Sequence, residues 1–383
     1  MLLSISGPRL RLDALAFEPQ FVDHVAPVWR ALPSDIRGAM YTSPALVSRA
    51  AARGVGDPQP LDVTEVRRRQ PSPPLAKPGT GPVAFAASIG DMKVGRRLGY
   101  DRFVFIEHGA GQAYDGDPRE PFRHPSYAGG MDREDVILFL VPNEYSASRW
   151  RAAYPATPTV VVGSPHVGDL PDREPGPGPV VALSFHWPAH IAPEAGTALG
   201  HYITVLPDVA REWTTIGHAH PKGDWPQRME RTYRKAGIPT VADFDEVCRR
   251  ADVYVCDNSS TLFEFAATGR PVVVLNAPMY RRNIHHGLRF WTAARVGINV
   301  DSPASLVPAI RAAIADDEPL PTDRVAALLE VYPADDPRGT LAAGRAAEAI
   351  TEVLRAHGQA VIPGRAEPPR SRPSTLGHRG RRA

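Results

Sequence analysis

The sequence predicts an α/β protein made of two parallel-sheet domains that face each other across a cleft. Short β-branched apolar runs alternate with amphipathic helical stretches along most of the chain. That is the pattern of βαβ units around a sheet buried on both faces. The alternation breaks once, at a Pro/Gly-rich stretch, and then begins again. At 383 residues the chain also exceeds what one ordinary core holds.

Taken in order, Phe17 to Leu32 carries apolar residues at helical spacing (Phe21, Val25, Val28, Trp29, Leu32). Gln70 to Pro82 is a Pro/Gly-rich loop. Strands are then predicted at Val83–Ala87, Phe103–Ile106, Val136–Val141 and Thr159–Val162, with a crossover helix between Pro142 and Tyr154 that Pro155 and Pro158 stop. The boundary falls at Pro171–Pro179, which holds four prolines and two glycines. Beyond it strands are predicted at Val180–Phe185, Trp213–Ile216, Thr240–Val241, Val253–Cys256 and Pro271–Leu275. Helices are predicted to begin at Ile203–Leu206 and to span Trp225–Ala236 (closed by Gly237), Asp245–Arg250, Ser260–Thr268, Ser305–Ala315 and Thr340–His357. The expected division is a Rossmann-like domain over 1–170, a linker over 171–179, a second Rossmann-like domain over 180–358 and a disordered basic tail over 359–383.

Composition excludes several classes. Gly364–Ala383 carries six arginines against one glutamate; without it the formal charge of +2 becomes −3, so the folded body has no basic surplus for nucleic acid. The tail reads either as a solvated end or as a contact for anionic lipid or polymer. Cys248 and Cys256, the two cysteines, make neither a zinc site nor a disulfide framework, and suggest a reducing cytoplasm. Arg9, Arg11 and Asp13 precede any long apolar run, which argues against a signal peptide. The run Val136–Val141 is far short of the ~20 residues that span a bilayer.

The densest chemical signal runs from Ala251 to Leu275: a buried strand, a polar turn Asp257-Asn258-Ser259-Ser260-Thr261, a helix stopped by Gly269, and a second buried strand. Hydroxyls at a helix start can receive a phosphate, and Glu264 one turn on can reach a ribose hydroxyl. An ordinary helix cap with Glu264 on a solvated face reads equally well from these residues alone.

This stretch resembles the donor site of GT-B glycosyltransferase-like enzymes, in particular the CDP-glycerol glycerophosphotransferase family of teichoic-acid synthesis. The match reads Asp257-Asn258-Ser259-Ser260 followed by Arg270-Pro271-Val272, with Asn258 in place of the family's Tyr. UDP-GlcNAc 2-epimerases have a related pattern here. Four further segments resemble the family in the same order: Phe105-Ile106-Glu107-His108-Gly109, Gly163-Ser164-Pro165 with Asp169, Val180 to Trp187, and Ile216 to Pro221. After His108-Gly109, Ala110-Gly111-Gln112-Ala113 replaces the family's Thr and basic residue.

The resemblance implies a GT-B fold and a metal-independent transferase without cofactor, its nucleotide-diphosphate donor being a substrate. His108 is then the catalytic base, with Gly109 permitting close backbone approach, and His220 faces the donor phosphates. Gly109, Asp257, Asn258, Ser259, Ser260, Thr261 and Glu264 bind the donor together with Arg281 and Arg282, which follow the Pro271–Leu275 strand. The acceptor is a polyol, glycan or cell-surface polymer, and the work is cytoplasmic, peripheral to the inner membrane face. Two other functions remain open: a nucleotide-sugar glycosyltransferase or UDP-GlcNAc 2-epimerase-like isomerase, and a non-catalytic nucleotide-binding module. No metal is expected at His218-x-His220, which lacks a third ligand at a known spacing, nor at Asp243-x-Asp245, which reads as a helix N-cap at Asp245. Asp115-x-Asp117 sits in a turn.

Overall fold

In the computed structural model, which describes residues 11–68, 82–110, 133–188, 196–280, 293–315 and 322–360, the chain builds two sheets. The first contains β1 (Leu12–Ala16), β2 (Arg37–Thr42), β3 (Gln59–Pro60), β4 (Val83–Ala86), β5 (Arg102–Ile106), β6 (Val136–Val141) and β7 (Thr159–Val161). Their order is β3-β2-β1-β4-β5-β6-β7, parallel throughout. The second contains β8 (Val180–Phe185), β9 (Thr214–Ala219), β10 (Val253–Cys256), β11 (Val272–Leu275) and β12 (Ile298–Val300), ordered β12-β11-β10-β8-β9 and again parallel. Strand order reverses between β1 and β4 in one sheet and between β8 and β10 in the other. Those are the points where an open parallel sheet leaves a crevice beyond its carboxyl ends.

The strands form where the sequence can be buried on both sides. β10 (VYVC) and β11 (VVVL) are buried at every residue, so continuous apolar runs replace alternation. The helices start on local chemistry. Ser88 Oγ accepts from Asp91 N at 3.0 Å, and Asn143 Oδ1 accepts from Ser146 N at 2.8 Å. Gly237 (φ 74°) and Gly269 (φ 84°) end their helices in the left-handed conformation that a Cβ disfavours.

Several elements differ from expectation. The helix expected from Ile203 begins earlier, as one turn Leu199–Tyr202, and continues as Leu206–Glu212 with Pro207 in its first turn, where a missing N–H costs nothing. Thr240 makes one isolated bridge to Gly217 rather than a strand. The cap of helix Phe244–Arg250 is Asp243, which accepts from Asp245 N, so Asp245 lies in the first turn. The Gln70–Pro82 loop (Pro82 apart), Asp115-x-Asp117, Arg281, Arg282 and the tail beyond Ala360 lie outside the described residues.

Each sheet has a core on both faces. On one face of the first, helix Pro19–Ala31 packs with Val25, Val28 and Trp29. On the other, Trp150 stacks on Phe139 at 4.5 Å between centroids. The last helix, Ala342–Ala360, follows the second sheet in sequence, yet Ala346, Ala347, Ile350 and Leu354 join the first sheet's core. On its way back the chain touches the outgoing crossover. Gly339 has φ 66°, and a Cβ there would lie 2.2 Å from Ser164 O. The linker is pinned by Arg173, which donates to both carboxylate oxygens of Asp252 at 3.0 Å. Cys248 and Cys256 are both buried in the second domain's core. Among the described residues no helix is long and apolar enough to cross a membrane.

Candidate functional site

The two sheets meet at their carboxyl ends around a cavity of about 290 Å³. His108 reaches it from the loop after β5, and Ser184 from β8. His218 and His220 come from the end of β9. Ser259, Ser260, Thr261 and Glu264 come from the turn and helix after β10. Asp23 and His24 come from helix Pro19–Ala31, and His166 from the short helix Pro165–Gly168. The site therefore sits at both strand-order reversals, as the topology requires.

His108 is oriented by its own strand. Side chains alternate along β5 and beyond, so Glu107 turns the other way and its carboxylate accepts from Trp150 Nε1 at 3.1 Å. His108 Nδ1 lies 2.6 Å from Ala87 O. A carbonyl can only accept, so Nδ1 carries the proton and Nε2 the lone pair. Burial pushes the imidazole down to about 4, and the ring is neutral at pH 7. Gly109 follows with φ 104°.

His218 and His220 lie on one face of the strand end, two residues apart. His218 Nδ1 is 3.2 Å from Ser184 Oγ, and burial pushes this imidazole to about 4 as well. His220 is held well below its ordinary value by burial and by the neighbouring His186 and His218. Its Nδ1 is buried with no protein partner.

Beyond β10 the expected donor residues split into two groups. Ser259, Ser260 and Thr261 face the cavity, and the hydroxyls of Ser259, Thr261 and Tyr254 form a chain with 2.8 Å links. Asp257 and Asn258 lie behind them. Asp257 is fully buried and its carboxylate accepts from the backbone N–H of His186, Asn258 and Ala198 at 2.8–2.9 Å. Asn258 donates to Gly196 O at 2.8 Å. These two hold the loops that carry the turn. No side chain caps helix Thr261–Ala267.

Glu264 is not on a solvated face. It is 2% exposed, with Oε2 3.2 Å from His166 Nδ1 and Oε1 3.7 Å from His24 Nε2. His24 is held well below its ordinary value, chiefly by burial, then by His166 and His108. His166 is raised, since Glu264 outweighs the effect of burial.

A charged network closes one side of the cleft. Asp23, 4% exposed, accepts from Arg49 and Arg53. Arg49 continues to Asp243 at 3.0 Å, and Arg53 to Asp245 at 2.8 Å, both in the second domain. Burial would raise the Asp243 carboxyl, but Arg49 more than offsets this and holds it below its usual range. Lys222 and Glu18 pair across the cleft at 2.8 Å.

Sequence reasoning missed Asp23, His24, Arg49 and His166. The one signal for the first two was a polar pair on the apolar stripe of a helix, between Phe21 and Val25. His166 directly follows the Gly163-Ser164-Pro165 turn, which was read for its likeness alone.

With the geometry in place, comparisons add the fold. No family model matches the chain, and no curated protein matches it. Solved structures do. The S. aureus MnaA–UDP structure is similar at TM-score 0.61 and 12% identity, covering 96% of this chain and 100% of that one. A putative UDP-N-acetylglucosamine 2-epimerase from Listeria monocytogenes is similar at 0.55 and 11%, covering 92% and 98%. UDP-GlcNAc 2-epimerase from Neisseria meningitidis, bound to UDP-GlcNAc, is similar at 0.52 and 11%, covering 90% and 99%. The fold is of the GT-B type. At such identities the likeness extends to architecture and no further.

Proposed function

We propose that the protein is a GT-B-type transferase that takes a nucleotide-diphosphate donor, CDP-glycerol before others, and passes a group to an acceptor hydroxyl. One observation carries this reading. His108 from the first domain meets His220 and the Ser259–Thr261 hydroxyls of the second in a single cavity. Both carboxylates that line that cavity are engaged in pairs, Asp23 with two arginines and Glu264 with two histidines. Among the described lining residues, His108, His218 and His220 are neutral imidazoles outside those pairs and are left to carry a proton.

The residues then act as follows. The acceptor hydroxyl gives its proton to His108 Nε2, whose tautomer the Ala87 carbonyl fixes. With CDP-glycerol, the acceptor oxygen attacks the glycerol-side phosphorus and CMP leaves. With a nucleotide sugar, the attack is on the anomeric carbon and the nucleoside diphosphate leaves. Charge growing on the leaving phosphate is met by His220 and the hydroxyls of Ser259 and Ser260. A bound diphosphate also raises the basicity of His108 from its low resting value, because a nearby anion favours the imidazolium.

A second reading, a nucleotide-sugar epimerase, draws on the fold neighbours named above. It requires acid and base carboxylates in the cleft, and the engagement of Asp23 with two arginines and of Glu264 with His166 weighs against it. A polymer or glycan acceptor and work at the inner membrane face belong to the same proposal and rest on the family resemblance.

Calorimetry with CDP, CDP-glycerol, UDP and UDP-GlcNAc separates the readings. Binding of cytidine ligands alone supports glycerophosphotransfer. Preference for uridine ligands moves the protein to glycosyl transfer or epimerisation. Binding of none sinks the nucleotide-donor reading.

A further inference from the structure

Three buried side chains at the floor of the cleft take no part in the steps above. His24 comes from helix Pro19–Ala31, His166 from helix Pro165–Gly168 at the crossover, and Glu264 from helix Thr261–Ala267. Their exposures are 3%, 4% and 2%. One ligand atom from each lies within 4.8 Å of the other two, the only trio of His, Cys, Asp or Glu among the described residues to close in this way.

We infer that His24, His166 and Glu264 form a binding site for one first-row divalent cation of the zinc class. The donor set is two imidazoles and a carboxylate, which suits zinc and its neighbours rather than calcium or magnesium. The spacing also fits. Zinc bonds of ~2.0–2.1 Å to nitrogen or oxygen place tetrahedral ligands about 3.3 Å apart. His166 Nδ1 stands 3.2 Å from Oε2 of Glu264 and His24 Nε2 3.7 Å from Oε1, and one ligand atom of each residue lies within 4.8 Å of the others, so a small shift of the carboxylate closes the three on a cation. All three residues line the cavity, so the remaining coordination position opens into it.

The outer shell sets the affinity. His24 Nδ1 and His166 Nε2, the nitrogens facing away from Glu264, are buried without a protein partner. Outer-shell acceptors typically contribute 10–100-fold to metal affinity. The site therefore binds a cation more weakly than one whose histidines are held by outer-shell acceptors. Since the ligands come from both sides of the cleft, the cation also ties the domains together. This replaces the metal-independent expectation with a cation-binding protein, and it does not depend on which donor the cleft takes.

The competing occupant is a proton, with charged His166 paired to Glu264. Untagged full-length protein, dialysed against a chelator and then freed of it, is titrated with cobalt(II) chloride at pH 7.5, without any nucleotide. The inference expects one equivalent bound, with the visible bands of four- or five-coordinate cobalt, and their loss on adding zinc chloride. His24→Gln and His166→Gln should each weaken binding at least ~10-fold, in keeping with loss of one ligand, while His201→Gln leaves it unchanged. Wild-type protein that binds no cobalt, or gives only six-coordinate aquo-type bands, overturns the inference. So does unchanged binding in the two histidine variants. If either fails to fold, Glu264→Gln, which keeps volume and removes the anionic ligand, gives the same decision.

Discussion

The first-domain wall of the cleft presents Asp23, His24 and His108 backed by Arg49 and Arg53, whereas the second-domain wall presents hydroxyls, Ser184, Ser259, Ser260 and Thr261, beside two neutral imidazoles. The hydroxyl wall is mostly one contiguous turn and can meet an anion without steric crowding. The opposite wall is assembled from three separated segments and carries its charge in a network that reaches across to Asp243 and Asp245. In the proposed reaction one wall contacts the ligand, while the other takes the proton and holds the domains in register.

The sharpest test of that division is His108→Ala. It should lower turnover ~10²–10⁴-fold, the range of a lost general base, with nucleotide affinity unchanged by calorimetry. An equal loss in affinity would erase the distinction between the walls. Asp23→Ala should cost about 3–5 kcal/mol in urea unfolding, because it leaves two arginine heads without their shared buried anion. A loss under ~1 kcal/mol would mean the network is mere surface pairing.

Acid should act on both walls at once. His108 and His218 sit at about 4 when folded against an ordinary 6.5, so the unfolded chain binds more protons between those values. The contribution of these two rings is then complete above pH ~6.5 and is lost as pH falls towards ~4, on the order of 2–3 kcal/mol for each. His218→Asn should flatten that slope in pH-dependent melting, and an unaltered slope would count against a buried neutral His218. Ser259→Ala with Ser260→Ala should weaken nucleotide binding by about 1–3 kcal/mol, two hydrogen bonds' worth. Unchanged affinity would remove the hydroxyl wall from the site.

How much was legible in the sequence follows the same contrast. β6, β8 and β10 have the bounds their apolar runs predict, because a strand buried on both faces needs no partner to be recognised. β1 was not seen. Asp13 interrupts its apolar run, and only the fold shows that this carboxylate accepts from Ala39 N at 2.7 Å and from Tyr100. β2 (RGAMYT) buries just Met40 and Thr42, too sparse for a pattern. The Ser259–Thr261 turn and His108 were singled out by a family resemblance in short motifs and their order, while His24, His166 and Glu264 meet across 98 residues or more of chain. A contact of that separation leaves no trace in spacing.

The last helix lies on the first sheet, and Gly339 passes against Ser164 on the way to it. The chain therefore straps the domains together twice, at neighbouring points. A body tied by two adjacent straps can swing about the line joining them and resists twisting. Any opening of the cleft has to work against both chain crossings and break the Lys222–Glu18 pair. It follows too that a cut in the linker would not yield two self-sufficient halves: the first would lack the helix that seals its core.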